Sequence, residues 1–202
     1  MREVIIINRK QSILEAAKQS FALFGYKGTT MDHVATAAKV GKGTIYTFFK
    51  NKEELLHAVI EEVVQEMSQL LQKTVDPNRS FFDNLHHTLI QILDYRRNHP
   101  LLQRLFLEAR ELRGATIQLA VELIEQHNLQ FIQSHIERAI EKGELKPCPP
   151  EITAFVMIKL YVALSFEWEK KHPPLAKEEL AELFRLYLAE GLAPSAPPGQ
   201  AT

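Results

Sequence analysis

The sequence has only one cysteine, one tryptophan and eight glycines among its 202 residues. Cys148 alone excludes an internal disulfide and fits a reducing compartment. The longest apolar run, residues 154–166, is interrupted by Lys159 and is too short to span a bilayer. The apolar segment 4–7 is also too short for a secretory signal. These absences favour a cytoplasmic protein without a membrane segment.

Acidic side chains are scarce at the start of the chain. The net charge of −1 argues against a nucleic-acid binder, but nine basic and three acidic residues give the first 52 residues a charge of +6. The remainder therefore carries −7. A basic segment joined to an acidic body is typical of a DNA-binding domain attached to a body that stays off DNA. Chance clustering of lysines on a solvated surface explains the charge pattern equally well.

Strand patterns are nearly absent, and the apolar residues follow a helical period over almost the whole chain, so the predicted fold class is all-α. The first helix is predicted from about residue 9 to residue 24. Its buried stripe is expected to comprise Ile13, Ala17, Phe21 and Phe24. The predicted organisation is an N-terminal three-helix bundle over residues 1–52, a larger helical domain over 53–192, and a disordered tail rich in proline and glycine over 193–202.

Residues 30–49 form a candidate helix–turn–helix within that bundle. Thr30 is placed to cap one short helix, and a second begins at Lys42 after the break at Gly41. If Ile45 and Phe49 face the core, geometry turns another face of the second helix outward. This face presents Lys42, Thr44 and Thr47, with Tyr46 beside them, as a recognition helix for the major groove would. A generic helical hairpin with a solvated face has the same spacing.

The segment from Ile13 to Leu55 resembles the N-terminal domain of the TetR family of bacterial transcriptional regulators. The resemblance is carried by Phe24-Gly25-Tyr26-Lys27-Gly28-Thr29-Thr30 and by Val40-Gly41-Lys42-Gly43-Thr44-Ile45-Tyr46-Thr47-Phe48-Phe49-Lys50-Asn51-Lys52. It implies base contacts from Lys42, Gly43 and Thr44, and phosphate contacts from Thr30, Tyr46, Thr47 and Lys52. Thr47, Phe48 and Gly41 depart from the residues that the family often has, and Phe48 cannot donate a hydrogen bond.

A ligand pocket is predicted in the C-terminal domain. The long helix near residues 114–141 places Asn128 and His135 on an apolar stripe, and an apolar pocket with a few polar anchors is typical of a small-molecule site. The candidate lining residues are Tyr95, Phe106, Asn128, Phe131, His135, Phe155, Tyr161 and Trp168. The alternative is that Asn128 and His135 are core residues with satisfied hydrogen bonds.

The two C-terminal helices are candidates for a dimer interface. The helix that contains residues 154–166 is apolar on nearly every side, and the last helix adds a second apolar stripe. Together they favour a four-helix contact across a two-fold axis, although both could simply close the core of a monomer. A dimer would place two recognition helices about one DNA turn apart, roughly 34 Å, and so read a palindrome.

Enzyme signatures are missing. The segment Gly41-Lys42-Gly43-Thr44 lacks the upstream glycine and strand of a phosphate-binding loop, and the eight histidines show no metal-ligand spacing. We therefore expect no catalytic residue, no metal and no cofactor. The predicted function is a homodimeric repressor released from double-stranded operator DNA by a small lipophilic effector. The alternatives are a helical ligand-binding or adaptor protein without DNA activity, and a small helical enzyme.

Overall fold

The computed structural model describes residues 2–112 and 114–190, within which it forms nine α-helices and no strand. The helices are α1 (Arg2–Gly28), α2 (Met31–Ala37), α3 (Lys42–Phe48), α4 (Lys52–Thr74), α5 (Phe81–Asn98), α6 (Pro100–Leu112), α7 (Ala115–Glu141), α8 (Pro150–Val162) and α9 (Lys177–Phe184). α8 continues into short π- and 3₁₀-helical segments, and α9 into a π-helical one. The predicted all-α fold class is confirmed.

Two compact units divide the chain. The first contains the residues up to Lys73 together with Gln91–Phe131, and the second contains Thr74–Ile90 and the residues from Ile132 onward. The predicted boundary after residue 52 falls inside the first unit, at the start of α4, and it stays a prediction. The predicted disordered tail 193–202 lies outside the described residues.

The core of the first unit confirms three of the four positions predicted to be buried in α1. Ile13, Ala17 and Phe21 are at most 1% exposed, but the prediction for Phe24 is wrong, because this ring is 57% exposed. The regular helix is interrupted at the next residue, and the chain beyond the break stacks the ring of Tyr26 on that of Phe21, with 6.1 Å between the centroids. Tyr26 therefore covers the core where an unbroken helix would have used Phe24.

Side chains of Asn51 and Glu54 cap the start of α4. The side-chain oxygen of Asn51 accepts the Glu54 N–H at 2.8 Å, and the Glu54 carboxylate accepts the Lys50 N–H at 2.7 Å. These bonds satisfy donors that a helix leaves unpaired in its first turn. The helix then buries one apolar stripe from Leu55 to Leu71. α4 thus follows α3 after only three residues.

In the second unit, α8 is buried on one side only. Ala154 and Met157 are less than 5% exposed, whereas Ile152, Phe155 and Val156 are 62, 51 and 46% exposed. The sequence shows apolar residues on nearly every side of this helix, and within the single chain one of these apolar faces has no cover. Within the described ranges, none of the helices combines the length and the apolar character that a bilayer crossing demands.

Candidate nucleic-acid interface

The helix–turn–helix spans α2 and α3 and is held by local bonds. Thr30 has extended backbone and caps α2, since its side-chain oxygen accepts the His33 N–H at 3.2 Å. Val34 and Ala35 then face the core. The turn to α3 passes through Lys39, whose φ of 55° lies in the left-handed region. The motif predicted over residues 30–49 is thus present as two seven-residue helices.

The orientation of α3 leaves one face outward. Ile45 and Phe49 are at most 3% exposed, whereas Tyr46 is 44% exposed. Thr44 is half-buried, and the exposed Thr47 donates its hydroxyl proton to the Thr44 carbonyl at 2.7 Å. In this structure the Thr47 proton is thus used within α3. These residues place a tyrosine hydroxyl and a threonine oxygen on the outward side of the helix.

Lys42 and Gly43 form the outward N-terminal turn of α3. The Lys42 ammonium lies 2.8 Å from the Asp32 carboxylate, and the hydrogen bond to Asp32 raises the lysine pKa, so the side chain is charged at neutral pH. A Cβ built on Gly43 would meet no atom within 4 Å. The backbone at Gly43 is therefore open to close approach from outside, as a base-edge contact would require.

Lys52 does not lie on the outward face of α3 but binds the end of α1. Its ammonium donates to the carbonyl oxygens of Tyr26 and Thr29 at 2.7 and 2.8 Å, and it sits 4.4 Å from the centroid of the Tyr26 ring. Burial lowers its pKa, against the opposing attraction of the Glu108 carboxylate. Two of its three N–H donors thus join α4 to the end of α1. The phosphate contact that the resemblance implies for Lys52 stays a prediction.

Phe48 is partly buried and packs against the core of the first unit. This position explains why Phe48 needs no hydrogen-bonding group.

Sequence reasoning did not identify Glu108, which accepts the Tyr26 N–H at 3.1 Å from 82 residues away. No local pattern in the sequence points to such a long-range bond.

The predicted ligand residues are divided between the two units. Tyr95, Phe106, Asn128 and Phe131 belong to the first unit, and His135, Phe155, Tyr161 and Trp168 belong to the second. In the first unit, the Tyr95 hydroxyl donates to Glu66 at 3.1 Å, and the Arg96 guanidinium lies over the Phe106 ring. The buried Oδ1 of Asn128 has no hydrogen-bond partner among the described residues.

Other ligand candidates lie at the surface of the chain. Phe155 and Trp168 are 51 and 41% exposed. The first unit also has a partly open groove of about 570 Å³ between α4 and α7, which includes none of the eight predicted residues. Its lining residues are Glu53, Leu56, His57, Ile60, Ala115, Thr116, Leu119, Ala120, Glu122, Leu123 and Gln126. The composition of the effector site stays a prediction.

Comparison with known proteins shows the family to which the chain belongs. Residues 13–59 match the family model of bacterial regulatory proteins of the tetR family. The chain is 50% identical over 187 residues to YhgD of Bacillus subtilis, an HTH-type transcriptional regulator, and the match covers 93% of this chain and 98% of that protein. The chain belongs to the TetR family. It is accordingly a transcriptional regulator with a helix–turn–helix DNA-binding domain, as the resemblance implied.

Solved structures of TetR-type regulators share the fold. A TetR-family regulator from Syntrophomonas wolfei superposes with a TM-score of 0.70 at 22% identity, over 87% of this chain and 90% of that one. The transcriptional regulator FadR of Bacillus subtilis, in complex with stearoyl-CoA, superposes with a TM-score of 0.67 at 20% identity, over 86% and 96% of the two chains. At these identities the likeness concerns the fold alone.

Proposed function

We propose that this TetR-family regulator is a cytoplasmic homodimeric repressor, without enzymatic activity, that a small apolar effector releases from a palindromic operator. The outward face of α3 carries the DNA-binding part of the proposal. A charged Lys42, an open backbone at Gly43 and an exposed Tyr46 stand on a helix whose other side is locked into the core by Ile45 and Phe49. A rigid helix with such a face fits the major groove.

The proposed contacts divide by chemistry. Lys42, Gly43 and Thr44 are assigned to base edges, because they lie in the first turn of α3, the end that a recognition helix usually points at the bases. Tyr46 and Thr30 are assigned to phosphates, which hydroxyl groups and helix N-termini bind well. For Thr47, the hydroxyl must leave the Thr44 carbonyl before it can donate to a phosphate.

The proposed dimer uses the exposed face of α8. Ile152, Phe155 and Val156 follow one another at the spacing of a single helical face. The same unit exposes Trp168 and Tyr187 by 41% each. Exposed apolar patches of this kind mark interaction surfaces, and a two-fold partner presents the same patch in return. A second copy of the chain therefore fits this face.

The proposed effector carries an apolar chain, with acyl-CoA thioesters as the first class to test. The FadR structure with stearoyl-CoA shows that a relative of this fold holds such a molecule. In the present chain, the buried Oδ1 of Asn128 is an acceptor without a protein donor among the described residues, and Phe131 packs nearby against the same core. A buried polar atom of this kind is costly unless a donor reaches it. The amide N–H groups next to the thioester of a bound acyl-CoA would supply that donor.

Binding to DNA is tested with duplexes that the wild-type protein selects from a random pool. We expect a specific complex that weakens steeply between low and moderate salt, because several phosphate contacts release counterions. Lys42→Ala should reduce binding and also flatten the salt dependence, whereas Lys73→Ala, at the far end of α4, should leave both unchanged. A wild-type protein that selects no duplex would favour an adaptor without DNA activity.

The effector is tested by titrating acyl-CoA thioesters of increasing chain length into the DNA complex, with free coenzyme A as the control. Release of DNA by the thioesters alone would support an apolar effector. Asn128→Ala should then change the concentration needed for release without changing DNA affinity. If no thioester alters DNA affinity, the acyl-CoA class is excluded and the DNA-binding part of the proposal still stands.

A further inference from the structure

Gly25 breaks α1 with a backbone conformation that only glycine adopts readily. Its φ of 71° and ψ of 177° interrupt the helical angles, and L residues are essentially absent from this region. The surrounding side chains also leave no room for a Cβ at this position. A Cβ built on Gly25 would lie 1.8 Å from Oε1 of Glu108 and 2.9 Å from Nε of Arg104. α6 thus brings a carboxylate directly against the break in α1.

Glu108 is a buried carboxylate with defined partners. The residue is 3% exposed, and its two oxygens accept different donors. Oε2 accepts the backbone N–H of Tyr26 at 3.1 Å, and Oε1 accepts Nε of Arg104, one helical turn away, at 2.8 Å. Burying a charge is unfavourable unless it is paired and hydrogen-bonded. The carboxylate is therefore held by a bond that links α6 to the first residue after the break.

The segment after the break is also held from α4. Thr29 is fully buried and donates its hydroxyl proton to the Gly25 carbonyl at 2.8 Å. The carbonyl oxygens of Tyr26 and Thr29 accept from the Lys52 ammonium. Residue 30 then caps α2, so the same short segment leads directly into the helix–turn–helix. Its position is set by Glu108 on one side and by Lys52 on the other.

We propose that Glu108 is a positioning residue for DNA binding, which fixes the segment 26–29 and thereby the pose of α2 and α3 relative to α6. Glu108 touches no DNA in this scheme. It acts through the Tyr26 N–H, whose loss would let the segment adopt other positions. If only a fraction of molecules holds the competent pose, the apparent DNA affinity falls by that fraction. The inference rests on the proposed DNA contacts of α3.

The reach of the side chain, rather than its charge, is the property that this role requires. Glu108→Asp keeps a carboxylate near Arg104 but is one methylene too short for the Tyr26 N–H. Glu108→Gln keeps the length and an acceptor oxygen but removes the charge. The exposed Glu111, on the same helix, gives the matched control Glu111→Gln. The three variants thus separate reach, charge and the general effect of altering α6.

The test measures affinity for the duplex selected by wild type, affinity for a scrambled duplex, and hydrogen exchange of amides 26–29. For Glu108→Asp we expect a loss of about tenfold or more on the selected duplex, comparable to one hydrogen bond with a charged partner, and faster exchange at Tyr26. Binding to the scrambled duplex should change little, since it depends on charge alone. Glu108→Gln should stay within about threefold of wild type on both duplexes, because the acceptor at the Tyr26 N–H is kept.

Two results would overturn the proposal. One is wild-type affinity in Glu108→Asp; the other is equal weakening in the aspartate and glutamine variants while Tyr26 exchange stays slow. If Glu108→Asp does not fold, Glu108→Met replaces it, because methionine keeps the length of the side chain but removes the oxygen that accepts the Tyr26 N–H. This variant should lose at least about threefold on the selected duplex, and wild-type affinity there would also reject the proposal. Failure of wild type to select any duplex would instead reject the proposed function.

Discussion

Asp32 and Lys42 form an ion pair across the helix–turn–helix, with 2.8 Å between Oδ2 and Nζ and with both side chains more than half exposed. The pair joins the first turn of α2 to the first residue of α3. Exposed pairs of this kind contribute little to stability. If Lys42 contacts DNA as proposed, DNA must compete with Asp32 for the Lys42 ammonium, and the aspartate then acts against binding.

Asp32→Asn should strengthen binding to the selected duplex by about threefold to tenfold. The change releases the Lys42 ammonium and removes a negative charge from the face that is proposed to meet phosphates. The measurement is a fluorescence titration at two salt concentrations. Glu178→Gln, which removes a carboxylate from α9, controls for net charge and should change affinity little. Unchanged or weaker binding by Asp32→Asn would show that Asp32 does not compete with DNA.

Gly25→Ala should lower the free energy of unfolding by about 3 kcal/mol or more, because the residue must hold a positive φ and its methyl group displaces a buried carboxylate. Gly43→Ala is the matched control. Its Cβ meets nothing within 4 Å, and alanine favours a helix, so stability should be kept or rise by up to about 1 kcal/mol. Denaturant titrations of both variants measure the difference.

The same Gly43→Ala protein also tests the base contact assigned to Gly43. We expect weaker binding to the selected duplex despite the unchanged stability, since the methyl group occupies the space through which a base edge would approach. Binding equal to that of wild type would remove Gly43 from the assigned contacts and leave the fold argument untouched.

Phe155→Glu should convert the proposed dimer to monomer, because a carboxylate would be buried against an apolar partner face without a counter-charge. Sedimentation velocity over a range of protein concentrations measures the change. Leu23→Glu places the same charge at a 72% exposed apolar position of the first unit and should leave the oligomeric state unchanged. Dissociation by both variants, or by neither, would contradict an interface centred on α8.

Acidification below about pH 6.5 should destabilise the protein, in part through His99. Burial is the main cause that lowers the pKa of His99, and its Nδ1 accepts the Leu102 N–H at 3.4 Å at the start of α6. The folded state therefore favours the neutral ring. The stability that the neutral His99 ring contributes is fully present above the ordinary histidine pKa of about 6.5. It is lost as the pH falls through the lower pKa that His99 has in the folded state.

His99→Asn retains a capping side chain and should reduce the fall in melting temperature between pH 7.5 and pH 5.5. His33→Gln, at an exposed position of α2, serves as the control. His127, whose pKa is also lowered by burial, leaves part of the pH dependence in place. An undiminished fall in the His99→Asn protein would show that another group controls acid stability.

Local features were predictable from the sequence, and long-range ones were not. The caps at Thr30 and Asn51 follow from residue type and spacing within four residues. The burial of Ile45 and Phe49 follows from helical period. Phe24 was misplaced because the period was extended to the residue immediately before a glycine break. The exposure of Phe155 could not be derived from the sequence, because an apolar helix face does not reveal whether its own chain or a partner covers it.

In the candidate DNA-binding site, too, local features could be derived from the sequence and long-range bonds could not. The outward position of Lys42 and Tyr46 could be derived from α3 alone. The engagement of Lys52 with the carbonyl oxygens of Tyr26 and Thr29 depends on how α1 ends and where α4 begins, and Glu108 reaches this segment from 82 residues away. Such bonds arise only once the helices have packed, so neither periodicity nor spacing contains them.

The bonds of Lys52 have a consequence for exchanging binding specificity between regulators. This side chain joins the first residue of α4, which follows the helix–turn–helix, to residues that precede the motif, so the ammonium group closes residues 26–52 into a loop. A transplanted recognition segment is therefore a usable cassette only when it carries its own lysine and its own carbonyl acceptors. A graft whose ends fall inside that loop would keep the residues proposed to contact DNA but lose the Lys52 bonds to the segment before them.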